Sequence, residues 1–368
     1  MGSRRQLLTA ITVGAAIIGG CGNGTASPVA SGSTASSSPI VSASSSGILV
    51  IEIADSQGQG SPSNLPLTEF KSQVESLSGG TMTVVIHVDA SADDALPGSD
   101  GPIVDKVKTG AFQMAVVPAS QWSAVGVTTL QALQAPFLVE SDEHVAAIVN
   151  DGAISQKMLG GLSAVGVTGL TLFPWSLRHF FSFTTPIMSP ADVKGRTIRT
   201  PGLLDIGALL AALGGKGVLP NDDDFISGVA DGTITAADSG FTVAMTSLPR
   251  AATATGNLVP YAKVITLVAN TAFWNGLNEA QRNAISGASA ATRAWAIANL
   301  TSDVQAAAKY CADGGKVVVT DTTSIQAFRA AEAPVYTRLE ADPGTKQLIS
   351  AIQQHGTGTP SAPVKACG

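Results

Sequence analysis

A helical pattern with few breakers runs from Asn278 to Cys311 and ends before Gly314-Gly315. At about 1.5 Å per residue it would reach about 50 Å, longer than one small lobe can accommodate. The pattern opens on Asn278 with Gln281 three residues on, the signature of a capping box. The expected element is a strut, residues 278–312, packed across two lobes, although a kink near Gly287 would split it.

Around the strut, short β-rich runs alternate with helical stretches. Strands are predicted at residues 48–53, 82–88, 112–117, 167–173, 197–200, 233–236, 262–268 and 316–319, and helices at 64–77, 102–109, 143–162, 203–213 and 343–355. Gly79-Gly80, Gly160-Gly161 and Gly214-Gly215 punctuate them, and Pro118 stops the third strand. Such βαβ alternation implies parallel sheets covered by helices. The chain has 368 residues, 45% of them hydrophobic and only 13% charged, which is material for two cores. The fold class is therefore α/β with two lobes: 48–172 and 250–275 for the first, 173–249 and 316–350 for the second, with 356–368 a tail. The carboxyl ends of parallel strands face the cleft between such lobes, and a ligand would bind there.

The chain begins with a targeting pattern. Arg4 and Arg5 supply a positive head, and residues 7–18 are an apolar stretch too short to span a bilayer comfortably, so residues 1–20 read as a cleavable signal peptide. Ile18-Gly19-Gly20-Cys21 resembles the lipobox of bacterial lipoproteins, where the cysteine becomes the acylated N-terminus. An ordinary secretory leader with an incidental cysteine is the alternative. Ser3 to Leu8 also resembles a twin-arginine export signal, and the general secretory route stays open beside it. From Gly22 to Gly47 the residues are Ser, Thr, Ala, Gly and Pro with almost nothing else, none of them charged. Such a composition cannot bury a core, so residues 21–47 read as a tether with an r.m.s. span of about 28 Å. The expected location is extracytoplasmic, on the outer face of the cell membrane. In that oxidising setting Cys311 and Cys367, the two cysteines left after Cys21, read as one disulfide, with two independent thiols as the alternative.

The formal charge of −6 becomes −8 once Arg4 and Arg5 are removed (−6 − 2), which argues against a nucleic-acid partner. His87, His144, His179 and His355 are scattered at spacings unlike any zinc site, so no metal and no cofactor are expected. Asp222-Asp223-Asp224 lacks the spacing of a calcium loop and reads better as acids in a helical first turn. No nucleophile elbow, phosphate loop or dinucleotide fingerprint occurs; no catalytic dyad can be named and no enzymatic activity is expected. What stands out is arginine. Arg199 ends an apolar β-rich run, and its planar fork can grip a carboxylate bidentately where a lysine cannot. Arg178, in Trp175-Ser176-Leu177-Arg178-His179, is a second candidate, and a solvated strand-end arginine is the bland reading of either.

The segment Pro186-Ile187-Met188-Ser189-Pro190-Ala191-Asp192-Val193-Lys194-Gly195-Arg196-Thr197-Ile198-Arg199 resembles "P-I-x-S-x-A-D-L-K-G-x-K-I-R" of the substrate-binding proteins of tripartite ATP-independent periplasmic (TRAP) transporters. Other matches follow in order: Phe70 to Gly80, Val107 to Met114, Ala135-Pro136-Phe137-Leu138, Gly228-Val229-Ala230-Asp231-Gly232 and Trp274-Asn275-Gly276-Leu277. Together they cover about residues 48–315. The resemblance implies a two-lobed periplasmic-binding-protein-like fold, a small organic acid as ligand, and integral membrane transporter subunits as partners. It implies that Arg199 forms the salt bridge to the carboxylate and that Arg178 assists. Where the family carries an asparagine after "V-D-G-Q-E", this chain has Thr235. Trp122, Trp175, Phe180 and Phe241 could line the cleft, with plain core as the alternative; Trp175 and Phe241 are the ones taken as ligand-binding. A ligand sensor or interaction protein that reuses the cleft without transport is the alternative function.

Overall fold

The structure, a computed structural model, describes residues 47–92, 94, 100–201, 204–249, 251–356 and 363–368. The signal peptide, Cys21 and nearly all of the tether lie outside the described residues. Those described belong to one compact unit, Pro39–Gly368.

In chain order the strands are β1 (Leu49–Ala54), β2 (Met82–His87), β3 (Met114–Pro118), β4 (Val167–Leu177), β5 (His179–Ser182), β6 (Thr197–Arg199), β7 (Lys216–Val218), β8 (Ala236–Ser239), β9 (Thr253–Thr255), β10 (Ala262–Asn270) and β11 (Lys316–Val318). They make two sheets, ordered β2-β1-β3-β10-β4 and β11-β9-β5-β8-β6-β7. Each carries helices, so the α/β class and the two lobes are as expected. The sheets are mixed rather than parallel. β10 returns from the second lobe and runs antiparallel between β3 and β4, and β5 runs antiparallel to β8 and β9.

Two long helices predicted from periodicity are each cut in two by a capping side chain. The strut runs Glu279–Asn299, opened by the Asn278–Gln281 box, and stops where Leu300 turns extended. Ser302 then forms a second box with Gln305 and opens Asp303–Ala312. The first piece packs on the helix Asn64–Leu77 and on β4, and the second on the helix Phe241–Ser247 and β11. One rod across both lobes is thus replaced by one helix for each, joined at 300–302. Gly287 causes no kink; it lets the helices approach, since a Cβ there would sit 3.1 Å from Leu77 Cδ1. In the same way Asp151, accepting from the Ala153 and Ile154 N–H groups at 2.9 Å each, divides residues 143–162 into Asp142–Asn150 and Gly152–Gly160.

The lobe boundaries shift accordingly. β4 stays in the first sheet to Leu177, beyond the expected limit at 172, because it pairs with β10 as far as Leu177↔Ala262. β9 joins the second sheet, although 250–275 was expected in the first. The helix Pro343–His355 packs on the first lobe: Thr345 Oγ1 donates to the Thr128 carbonyl at 3.1 Å, and His144 Nε2 lies 2.9 Å from the Ile352 carbonyl. The tail is not loose at its end. Cys367 is disulfide-bonded to Cys311, exchanges two backbone hydrogen bonds with Val317, and lies beyond the buried Val364, which packs against Gly256 so closely that a Cβ there would lie 2.6 Å from it.

Candidate functional site

β6 and β8 run parallel with Arg199 beside Ala237, so the residues after Ala237 and at Arg199 share the carboxyl edge of the second sheet. The chain crosses between lobes at β4–β5, where Arg178 stands, and again at β9–β10. Both crossings are tied together, since the Arg178 N–H donates to the Tyr261 carbonyl at 3.0 Å. Across the gap, the Gln121 side chain of the first lobe reaches the Pro201 carbonyl at 3.5 Å.

At this junction Arg178 is buried against Asp238: Nε donates to Oδ1 at 2.7 Å and Nη2 to the Asp238 carbonyl at 2.9 Å. Tyr261 donates to Asp238 Oδ2 at 2.6 Å. Burial opposes the Arg178 charge most strongly, but Asp238 and Tyr261 together outweigh it and hold the guanidinium above its ordinary pKa. Burial, with Asp238 beside it, pushes the Tyr261 hydroxyl far up, so it stays a donor.

Arg199 differs from Arg178. It is partly buried, and its one contact among the described residues is the Phe225 ring, 5.7 Å from Cζ to the centroid. Among the described residues no carboxylate is bonded to it, although Asp238 and Asp222 act on it through space. Burial and then the Arg178 charge lower its pKa, although a guanidinium remains charged throughout the biological range. A guanidinium partly desolvated at a cleft, with no acid bonded to it among the described residues, can take an anion. From the first lobe, Lys263 on β10 places Nζ 4.2 Å above the Trp175 ring and 3.7 Å from Asp100 Oδ2. Burial lowers the Lys263 pKa; Asp100 opposes this, while Arg178 and Arg199 add to it. The Trp175 indole N–H is buried without a partner. Asp55, after β1, accepts from Ser63, Asn64 and the Gln57 N–H, and burial raises its pKa.

Of the residues singled out in the sequence, Arg178 and Arg199 stand at the same edge of the second sheet, and Trp175 lies on the first-lobe side beneath Lys263. Thr235 is not at this edge. β8 begins after it, and its N–H bonds to the Thr197 carbonyl at 3.0 Å, at the opposite end of β6 from Arg199. Asp238 stands at the cleft end instead. Phe241 is buried against His179, Phe181 and Tyr310 in the core of the second lobe, and Phe180 is core as well. Trp122 is also core, its Nε1 donating to Thr266 at 3.0 Å. Asp222, Asp223 and Asp224 form the first turn of a helix capped by Asn221. Asp238, Tyr261 and Lys263 escaped sequence reading; the signal was a charged or phenolic side chain inside, or directly before, an otherwise apolar strand.

A cavity of about 910 Å³ borders the crossings at Leu177 and Val259 and is lined by Glu140, Asp142, Asp303, Arg329 and Glu332 among others, and by none of Arg178, Arg199 and Lys263. Among the described residues no group of His, Cys, Asp and Glu could hold a metal ion.

The family described as bacterial extracellular solute-binding protein, family 7, matches residues 53–342. A TRAP periplasmic solute-binding protein from Ralstonia eutropha H16, with (S)-2-acetolactate bound, is 20% identical over 83% of this chain and 98% of its own, with a TM-score of 0.71. One from Shewanella oneidensis with succinate bound is 20% identical over 84% and 100%, at 0.70. One from Roseobacter denitrificans with β-D-glucuronate bound is 20% identical over 83% and 99%, at 0.69. At this identity the structural likeness establishes the fold. No curated protein matches the chain.

Proposed function

The chain belongs to bacterial extracellular solute-binding protein family 7, and from that premise we propose that its cleft captures a small organic acid for the membrane subunits of a TRAP-type transporter, with Arg199 as the carboxylate clamp. The observation that carries this reading is that Arg199, partly buried at the carboxyl edge of β6, pairs with no carboxylate among the described residues. Arg178 positions it. Neutralised by Asp238, Arg178 fixes the crossing and orients the edge on which Arg199 sits, and Trp175 forms the floor on the first-lobe side. Contacts from both lobes favour the closed form, so ligand binding and closure are one equilibrium. The carboxylates bound by the similar proteins from Shewanella oneidensis and Roseobacter denitrificans fit the same chemistry.

Arg199→Ala is expected to abolish the rise in melting temperature that carboxylic acids cause, while the ligand-free protein melts as the wild type does. Undiminished stabilisation by the same acids in the variant contradicts the clamp. We further propose that Cys21 is acylated after removal of residues 1–20 and that the tether holds the body at the outer membrane face. The placement of Cys21 between an apolar run and a charge-free tether supports this. A Cys21→Ser chain should leave the membrane fraction of expressing cells; retention there rules the anchor out.

A further inference from the structure

Two of the passages between the lobes, residues 256–261 and 300–302, are held by the C-terminal end of the chain. Cys367 exchanges backbone hydrogen bonds with Val317 on β11, the edge strand of the second sheet. Just upstream, Val364 is buried against Gly256, the first residue of the passage from β9 to β10. A Cβ on Gly256 would lie 2.6 Å from Val364 Cγ1 and 2.7 Å from Val317 Cγ1, so the start of the passage is gripped between tail and strand. Hydrogen bonds carry the grip further in. The Gly256 N–H donates to the Val318 carbonyl at 2.8 Å, Asn257 Nδ2 donates to the Thr320 carbonyl at 2.8 Å, and the Thr320 N–H donates back to Asn257 Oδ1 at 2.8 Å. The disulfide fastens the same tail to Cys311, in the last turn of Asp303–Ala312. That helix starts at the other passage, where the Asp303 N–H donates to Asp142 Oδ2 at 2.7 Å. Pro363 and Val364 accordingly line the same cavity as Gly256, Asn257 and Asp303.

Little besides the disulfide keeps the tail in place. Pro363, Lys365, Ala366 and Gly368 are exposed, and a chain end with one buried side chain frays unless it is tied down. We propose that the Cys311–Cys367 disulfide is a redox-sensitive clasp on the hinge. Oxidised, it presses the tail onto Gly256 and holds both passages in the geometry that closes on the ligand; reduced, it frees the tail and weakens capture. The effect on capture rests on closure of the cleft around an acid, as in the proposed function. A passage loosened in the open form has to be ordered again on closing, and that cost is subtracted from the binding free energy. Both sulfurs are half-buried, within reach of a dithiol. One thiolate of the dithiol attacks a sulfur of the bridge and displaces the other as a thiolate; the second thiol of the reductant then breaks the mixed disulfide. The dithiol leaves as its own disulfide, its two electrons and two protons having passed to Cys311 and Cys367.

The test compares the full chain, oxidised and after treatment with dithiothreitol, by residue-resolved hydrogen exchange and by calorimetric titration with succinate and glucuronate. On reduction the Gly256 and Thr320 amides are expected to lose protection, and the affinity for whichever acid binds the oxidised protein should fall about three- to tenfold. The double variant Cys311→Ala with Cys367→Ala should show both changes without any reductant. Val364→Ala, with the disulfide intact, should show both in smaller measure, because it removes the contact on Gly256 and leaves the bridge. Circular dichroism of each protein confirms that it is folded. A reduced protein that melts lower but keeps its Gly256 protection and its acid affinity would make the disulfide a staple against global unfolding, and overturns the proposal. A loss on reduction that Val364→Ala does not share overturns it too, since the tail would not be the route. Failure of the oxidised protein to bind either acid is a failure of the cleft reading, and the clasp then stands or falls on the protection of Gly256.

Discussion

Asp238 decides how the two arginines differ. It accepts from Arg178 Nε and from Tyr261, its own carbonyl takes Arg178 Nη2, and it is wholly buried. Without its carboxylate, Arg178 Nε and the Tyr261 hydroxyl would sit in the interior unpaired. Asp238→Ala is expected to cost about 3–5 kcal/mol of stability, the range for removing one partner of a buried ion pair. Replacing both members, Arg178→Met with Asp238→Leu, should recover much of that loss, because the pair's removal strands no charge. Denaturant unfolding of the three proteins checks this. A single variant as stable as the wild type would mean that Arg178 is compensated by some other group, and the division of labour between the arginines would fall. Arg199 was legible in the sequence because arginine is scarce there and a family motif ends on it. Asp238 was not, because its partner lies 60 residues away and no local pattern records such a pairing.

At the scale of elements, apolar periodicity located helices well and their breaks poorly. Asn64–Leu77 and Pro343–His355 match the expected limits because Ser78-Gly79-Gly80 and Pro343 mark ends that chain chemistry enforces. The breaks at Asp151 and Leu300 to Ser302 are made by capping side chains within continuous periodicity, and both were overlooked. Thr235 was misplaced for a related reason, since counting from Gly232 cannot tell where a strand begins. Contacts between elements also carry a pH dependence. Glu332, between the helices Thr322–Ala330 and Ala333–Leu339, is pushed up to about 7 by burial, with Arg329 opposing and Glu140 adding. Asp142 is raised by burial to about 6. The folded protein thus retains protons that the unfolded chain releases. The stabilisation is fully present below the ordinary carboxylate pKa and is lost as pH rises through about 7. The melting temperature should fall between about pH 4.5 and 7, and Glu332→Gln, which mimics the neutral acid, should flatten that fall. An unchanged slope in the variant would show that Glu332 does not hold the proton.

For the whole molecule, the two-lobed α/β plan was readable because alternation of strands and helices is a repeated, local signal. The strut argument reached two lobes by way of a rod that is in fact two helices; the length was real, and the interruption at Ser302 is where the lobes part. The cleft's chemistry depends on that division, since the second lobe brings Arg199 and the first brings Lys263 and Trp175. The most direct test of the account is a crystal structure of the protein with succinate or glucuronate bound. The account predicts a ligand carboxylate held by two parallel hydrogen bonds from Arg199, between the lobes. A ligand seated in the cavity bordering the crossings, or one in the cleft whose carboxylate leaves Arg199 unbonded, would contradict it.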